Sequence, residues 1–221
     1  MFKVYLNLHS TSALIGTITS LILGIFVWVR NSKSRLNITF AMFSFCISSW
    51  CLSHYFVLVS ENSLDALHLG KIFFSPVTLM APLWLYIIFK IVNKKINDKK
   101  LTWFLFRVSF ILSPLFFLLS FTDLLFIDIN HIFSFSNFHL IPGKLFLLFL
   151  FYWSSYAVYG IHILFFNFKL SYGHKRTQIK YFLTSMIFAI ISAFIYFSFI
   201  FEIPVNFPHD YLTIISLSLL A

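Results

Sequence analysis

The side chains best suited to chemistry gather on one short stretch. Tyr152, Ser155, Tyr156, Tyr159 and His162 fall, at 100° per residue, within an arc of about 120° on one helix face. Hydroxyls and an imidazole in a row have two main uses. They hydrogen-bond between helices, or they line a small-molecule cavity that offers few polar anchors. A proton path is a third use. Two other rows also end in tyrosine. Ser44, Ser48, Cys51 and Tyr55 repeat the intervals of Ser185, Ala189, Ser192 and Tyr196. The expected ligand-contacting set is therefore Tyr55, Tyr152, Ser155, Tyr156, Tyr159 and Tyr196, around a cavity open toward the outer side. Tyr152 and Tyr156 would lie nearest its mouth, and His162 deep.

No catalytic signature accompanies these rows. The sequence holds no G-x-S-x-G, no H-E-x-x-H, no phosphate loop and no dinucleotide fingerprint. Asp123, Asp128, His131 and His139 share one connecting segment, and their side chains could ligate a metal. Their spacing matches no metal pattern, so a solvated loop is expected, with no metal and no cofactor. Cys46 and Cys51 lie five apart on one helix, point to nearly opposite faces and cannot bridge. Arg107 sits shallowly enough in an apolar run to snorkel to its basic end. His54 and His162, the candidate bases for an intramembrane enzyme, fall on opposite halves of the membrane.

The elements that position these residues follow from composition. Of 221 residues, 60% are hydrophobic and only 10% charged, and the mean hydropathy is +0.90. A soluble domain carries about 25% charged residues, so the chain reads as an all-α polytopic membrane bundle with no separate soluble domain. A span of a ~30 Å hydrocarbon core takes roughly 20 residues. The apolar runs predict spans over 8–29, 37–59, 72–92, 101–121, 144–168 and 179–201, and a seventh, partial run over 211–221. Continuous runs such as 145–151 exclude the alternation of barrel strands. The first run is too long for a signal peptide and is followed by basic charge, so it reads as a retained span. Ser12, Gly16, Ser20 and Gly24 recur every four residues along it, the small-xxx-small pattern that lets helix backbones approach closely.

Charge sorts the two ends. Arg30, Lys33, Arg35, Lys90, Lys94, Lys95, Lys99, Lys100, Lys169, Lys175, Arg176 and Lys180 fall in the loops after the first, third and fifth spans or on their flanks, against Lys3, Lys71 and Lys144 on the other side. Acidic residues sort oppositely: Glu61, Asp65, Asp123, Asp128, Glu202 and Asp210, with Asp98 alone on the basic side. By the positive-inside rule the N-terminus is outside and the seventh run travels inward. The net charge of +9 is thus a topology signal, not a nucleic-acid footprint. Eleven residues of that seventh run cover about 16 Å, roughly half the core. A fragment, a truncated gene product or a partial insertion would each give this.

Several local patterns then come together. Arg35-Leu36-Asn37-x-x-Phe40 opens the second span, with Trp50 near its middle, and Pro82-Leu83-Trp84-Leu85 lies in the third. Gly143-Lys144-Leu145-Phe146, Arg176-x-Gln178-x-x-Tyr181 and Pro208-x-Asp210-Tyr211 open the fifth, sixth and seventh. With seven helices, short loops and an outer N-terminus, the chain resembles the N-terminal seven-transmembrane sensor region of bacterial histidine kinases. The resemblance implies a signal-input module in the bacterial cytoplasmic membrane. Its partners would be the lipid bilayer, a small-molecule or membrane-derived signal and a cytoplasmic effector in cis or trans, with a homodimer possible. The chain itself carries no phosphoacceptor segment or nucleotide-binding motif. A small transporter or channel subunit is the alternative, although no inverted repeat or paired helix breaks support it.

Overall fold

The computed structural model describes residues 8–92, 99–132, 136–200 and 210–220. Among the described residues eight α-helices follow one another: α1 Leu8–Arg30, α2 Arg35–Val59, α3 Ser63–Phe74, α4 Met80–Val92, α5 Lys99–Leu119, α6 Phe146–Leu170, α7 Gly173–Ile200 and α8 Asp210–Leu220. Among the described residues six helical stretches are long and apolar enough to cross a membrane, with α3 and α4 counted together as Ser63–Val92, and α8 is a shorter apolar helix. The basic stretch 93–98, the expected span end at 201, Glu202 and Pro208 lie outside the described residues.

Local chemistry sets the helix ends. The Ser34 hydroxyl accepts from the Asn37 N–H and caps α2, while the Asn37 side chain donates to the Val27 carbonyl at 2.9 Å and ties α2 to the end of α1. Asn62 caps α3 by accepting from the Leu64 N–H. The third span therefore begins at Ser63 rather than at the expected 72. Between α3 and α4 the helix tightens into a 3₁₀ segment, Ser75–Leu79, with Pro76 in its first turn. Proline has no N–H to give the Ile72 carbonyl, and the Ser75 hydroxyl bonds that carbonyl instead at 2.8 Å. Gly173, at φ +58°, turns the chain from α6 into α7 in a conformation that costs any other residue steric strain.

The bundle is a closed ring. α1 packs on α2 and α8, α2 on α3 and α4, α4 on α5 and α6, α6 on α7, and α7 on α8. α2 is its most enclosed member. Its serines act as interhelical glue: Ser48 donates to the Thr17 carbonyl, Ser49 to Phe73 and Ser53 to Gly70, at 2.9, 2.6 and 2.8 Å. Trp84 is the hub. Its ring meets Phe43 of α2 and Phe182 of α7, and it lies against Gly160 of α6, where a Cβ would collide with the indole. The faces left over, such as Ile111 and Leu118 on α5 and Phe151 on α6, are exposed and apolar, as a lipid-solvated surface requires.

The segment expected to be a solvated loop is instead an antiparallel hairpin, β1 Phe126–Ile132 and β2 Ser136–Pro142. Phe126 is fully buried, edge-on to Phe74, and Leu140 is buried beside Gly70. The hairpin covers the non-basic end of α2 and α3. At its base Gly143 lies so close to the Leu124 carbonyl that no side chain fits, and its N–H bonds the Leu125 carbonyl at 2.7 Å.

Candidate functional site

The tyrosine row of α6 faces α5. Tyr152 and Ser113 share a buried hydroxyl hydrogen bond of 2.7 Å. Tyr156 donates to the Leu105 carbonyl at 2.8 Å, and Tyr159 pairs with Thr102 at 2.7 Å. The result is a three-rung ladder between two helices that otherwise approach little at the backbone. Ser155, placed in the same row by the arc argument, lies at its edge. It is exposed, and its hydroxyl bonds the Phe151 carbonyl of its own helix at 2.7 Å. A serine satisfied in this way can face lipid. His162 is exposed as well.

The row of α7 faces α8. Ser185 donates to the Ser216 carbonyl at 2.8 Å and lies 3.0 Å from its hydroxyl, and Ser192 bonds Thr213 at 2.6 Å. Tyr196, next along this row, is buried with its ring edge-on to both Trp50 and His54. Tyr55 is half-buried, with its ring against Phe56. The structure thus sets the six tyrosine and serine positions in separate places. Tyr152, Tyr156 and Tyr159 lie on the α5–α6 seam, Tyr196 lies at the meeting of α2, α7 and α8, and Ser155 faces outward.

The most concentrated polar group is one that the residue rows did not single out. Asp210, the first residue of α8, is the one buried carboxylate among the described residues, with 1% of its surface exposed. His54 Nδ1 lies 3.1 Å from its Oδ2. The Ser12 hydroxyl lies 3.1 Å from the same oxygen, shared with the His9 carbonyl at 2.8 Å. The Cys51 thiol lies beside Asp210 as well, both of them against Gly16. Two helices, α1 and α2, thus supply the surroundings of an acid carried by a third. On α1, Ser12, Gly16, Ser20 and Gly24 are all buried. A Cβ on Gly16 would come within 3.0 Å of the Cys51 sulfur, and one on Gly24 within 2.9 Å of the Ser44 Cβ. The small residues therefore bring α1 against α2 at the cluster.

Cysteine, histidine and aspartate together suggest a nucleophile with its base. Here Cys51 is buried between helices and turned, like His54, toward Asp210. Both cysteines are free thiols. Among the described residues no three His, Cys, Asp or Glu side chains converge as metal ligands would. Of the loop residues considered for a metal, Asp123 is instead salt-bridged to Lys71, with Nζ 2.7 Å from Oδ1. Lys71 is buried and Asp123 is exposed. The lysine holds the Asp123 carboxyl below its ordinary range, through the hydrogen bond and its charge.

A ring of apolar helices with internal polar seams, a buried acid and a hairpin across one end defines a multi-pass membrane protein. The family model described as the N-terminal 7TM region of histidine kinase matches residues 12–221. The chain belongs to that family. The matched family is the membrane-embedded region of these kinases, not their catalytic part. No curated protein matches the chain.

Proposed function

We propose that the chain is the signal-input module of a two-component system, non-catalytic itself, passing a change in helix arrangement to a cytoplasmic effector such as a histidine kinase. Besides the family, one observation supports this most: α8, the seventh span, is held by polar contacts along its length. Asp210, Thr213 and Ser216 each bond to another helix. Interhelical hydrogen bonds in a bilayer contribute about 0.6 kcal/mol each on average. A helix held by such bonds shifts between neighbouring positions more readily than one locked by interdigitated bulk. A ligand preferring one arrangement would shift that balance.

In this reading the basic ends face the cytoplasm of a bacterium, and the hairpin faces outward. The ligand-responsive residues are Tyr152, Tyr156 and Tyr159, whose bonds to α5 a hydroxyl-bearing or membrane-derived ligand would exchange, and Tyr196, which transmits to α8. Fusing the bundle to a kinase with a transcriptional reporter tests this. Tyr152→Phe and Tyr156→Phe should lose the response to the cognate stimulus, while lipid-facing Leu148→Ala keeps it. Equal responses in all three would remove the tyrosines from sensing.

A further inference from the structure

We propose that the α4–α5 face at the basic end of the bundle binds an anionic phospholipid, with Arg107 and Lys100 holding its headgroup phosphate. The inference goes beyond the sensor reading and needs nothing from it.

α5 has two opposite faces. Thr102, Ser109, Ser113 and Phe116 are buried and turn toward the bundle. At 100° per residue, Lys100, Trp103, Phe104, Arg107, Phe110 and Ile111 fall on the other side, within an arc of about 120°. All six are exposed. Arg107 is near the middle of that arc, so it points away from the protein. Its guanidinium has no salt-bridge or hydrogen-bond partner among the described residues. α4, α5, α6 and α7 contain no aspartate or glutamate. Asp98, the nearest acid in sequence, precedes α5 and lies outside the described residues. An arginine turned toward lipid is costly unless it reaches an anion.

A second helix adds to the same face. Lys90, in the last turn of α4, has its Nζ 5.5 Å from the centre of the Tyr86 ring. Tyr86 stacks on Phe106 of α5 at 6.4 Å. Phe106 is in turn edge-on to Trp103 at 5.9 Å and to Phe110 at 4.8 Å. The rings form a continuous wall beside three cations. Lys100 and Arg107 are seven residues apart, about 10 Å of helical rise. Trp103, exposed between them, is a residue type that settles at the membrane–water interface.

The occupant of such a face carries negative charge at the basic end and hydrocarbon deeper in the membrane. A phospholipid does both. The Arg107 fork matches two phosphate oxygens at once, and Lys100 and Lys90 add point charge. Acyl chains then run along Phe110 and Ile111. Phosphatidylcholine has the phosphate but also an ammonium that the three cations repel, so an anionic headgroup is favoured. A soluble anion would leave the apolar part of the face unused. A second copy of the chain, meeting this one about a two-fold axis, would set arginine against arginine.

The test is native mass spectrometry of the full chain in detergent, titrated in turn with phosphatidylglycerol, phosphatidylcholine and inorganic phosphate. Phosphatidylglycerol should bind most tightly. Arg107→Gln should weaken it about fivefold, the share of one basic residue beside an anionic headgroup. Arg107→Lys, which keeps the charge, should retain the preference over phosphatidylcholine. Arg30→Gln, which removes another exposed cation at the basic end, should leave phosphatidylglycerol binding unchanged. Equal affinity of the native chain for the two lipids overturns the site. So does equal loss in Arg30→Gln and Arg107→Gln, which reduces the effect to bulk charge, or loss of the preference in Arg107→Lys. Inorganic phosphate bound as tightly as phosphatidylglycerol would make this a soluble-anion site and overturn the proposal as well. A dimer that Arg107→Gln splits, with lipid binding unaltered, would give the face to a second copy instead.

Discussion

Tyr152 on α6 and Ser113 on α5 share one hydrogen bond of 2.7 Å in a site shielded from both lipid and water. Tyr156 and Tyr159 bond to the same partner helix, so the rungs can be separated one at a time. In a double-mutant cycle, Tyr152→Phe and Ser113→Ala should show a coupling of about 0.6 kcal/mol, with a ceiling near ~1.7 kcal/mol. Equilibrium unfolding in bicelles measures it. Coupling indistinguishable from zero would mean that the rung makes no net contribution to stability.

The contact between Gly24 and Ser44 gives a sharper packing test. A Cβ at Gly24 would sit 2.9 Å from the Ser44 Cβ. Gly24→Ala should cost about 1–3 kcal/mol by overpacking, and Ser44→Gly in the same chain should recover part of the loss. Ile18→Phe, on the lipid-facing side of α1, should be nearly silent. If Ser44→Gly gives no rescue, the collision is not the cause.

Asp123 predicts a pH effect with a definite sign. Its carboxyl is held below its ordinary range by Lys71, so its folded midpoint lies under its unfolded one. The pair's stabilisation is therefore complete above the unfolded midpoint and is lost as pH falls through the folded one. Carboxyl resonances followed by NMR should show the Asp123 midpoint rising toward the usual carboxylate range in Lys71→Met. A midpoint unmoved by that substitution would sever the link.

Orientation has its own test. Ser63→Cys and Thr122→Cys lie at the hairpin end, Ser32→Cys and His174→Cys at the basic end, and all four positions are exposed. An impermeant thiol reagent applied to intact cells should label the first two and spare the others. The opposite pattern would invert the topology.

Much of the bundle was legible because lipid demands long apolar runs, and these survive any local detail. The start of the third span was not, because Asp65, His68 and Lys71 make 63–71 look like a polar loop. The Asn62 cap and the Lys71–Asp123 salt bridge make a helix of it. The hairpin was missed since its strands are short and sit beyond the membrane runs. Ser155 fell within a 120° arc, but a width of 120° spans both inward and outward faces, and a serine can satisfy itself on its own helix. The His54–Asp210 pair joins residues 156 positions apart. No periodicity connects such distant residues, although the Asp210-Tyr211 pattern at the start of the seventh helix marked one half of it.

The 3₁₀ stretch between α3 and α4 acts as a rotary offset. Each 3₁₀ residue advances the chain by 120° instead of 100°, so the five residues Ser75–Leu79 turn the following helix by roughly 100° relative to a continuous α-helix. One transmembrane crossing therefore presents two differently aimed faces. α3 addresses α2 and the hairpin, while α4 aims Trp84 at Gly160 and Phe182. Removing a single residue from the stretch would swing Trp84 by about a third of a turn. The wheel of aromatic contacts at the bundle's centre would lose its axle, while the hairpin end stayed in place.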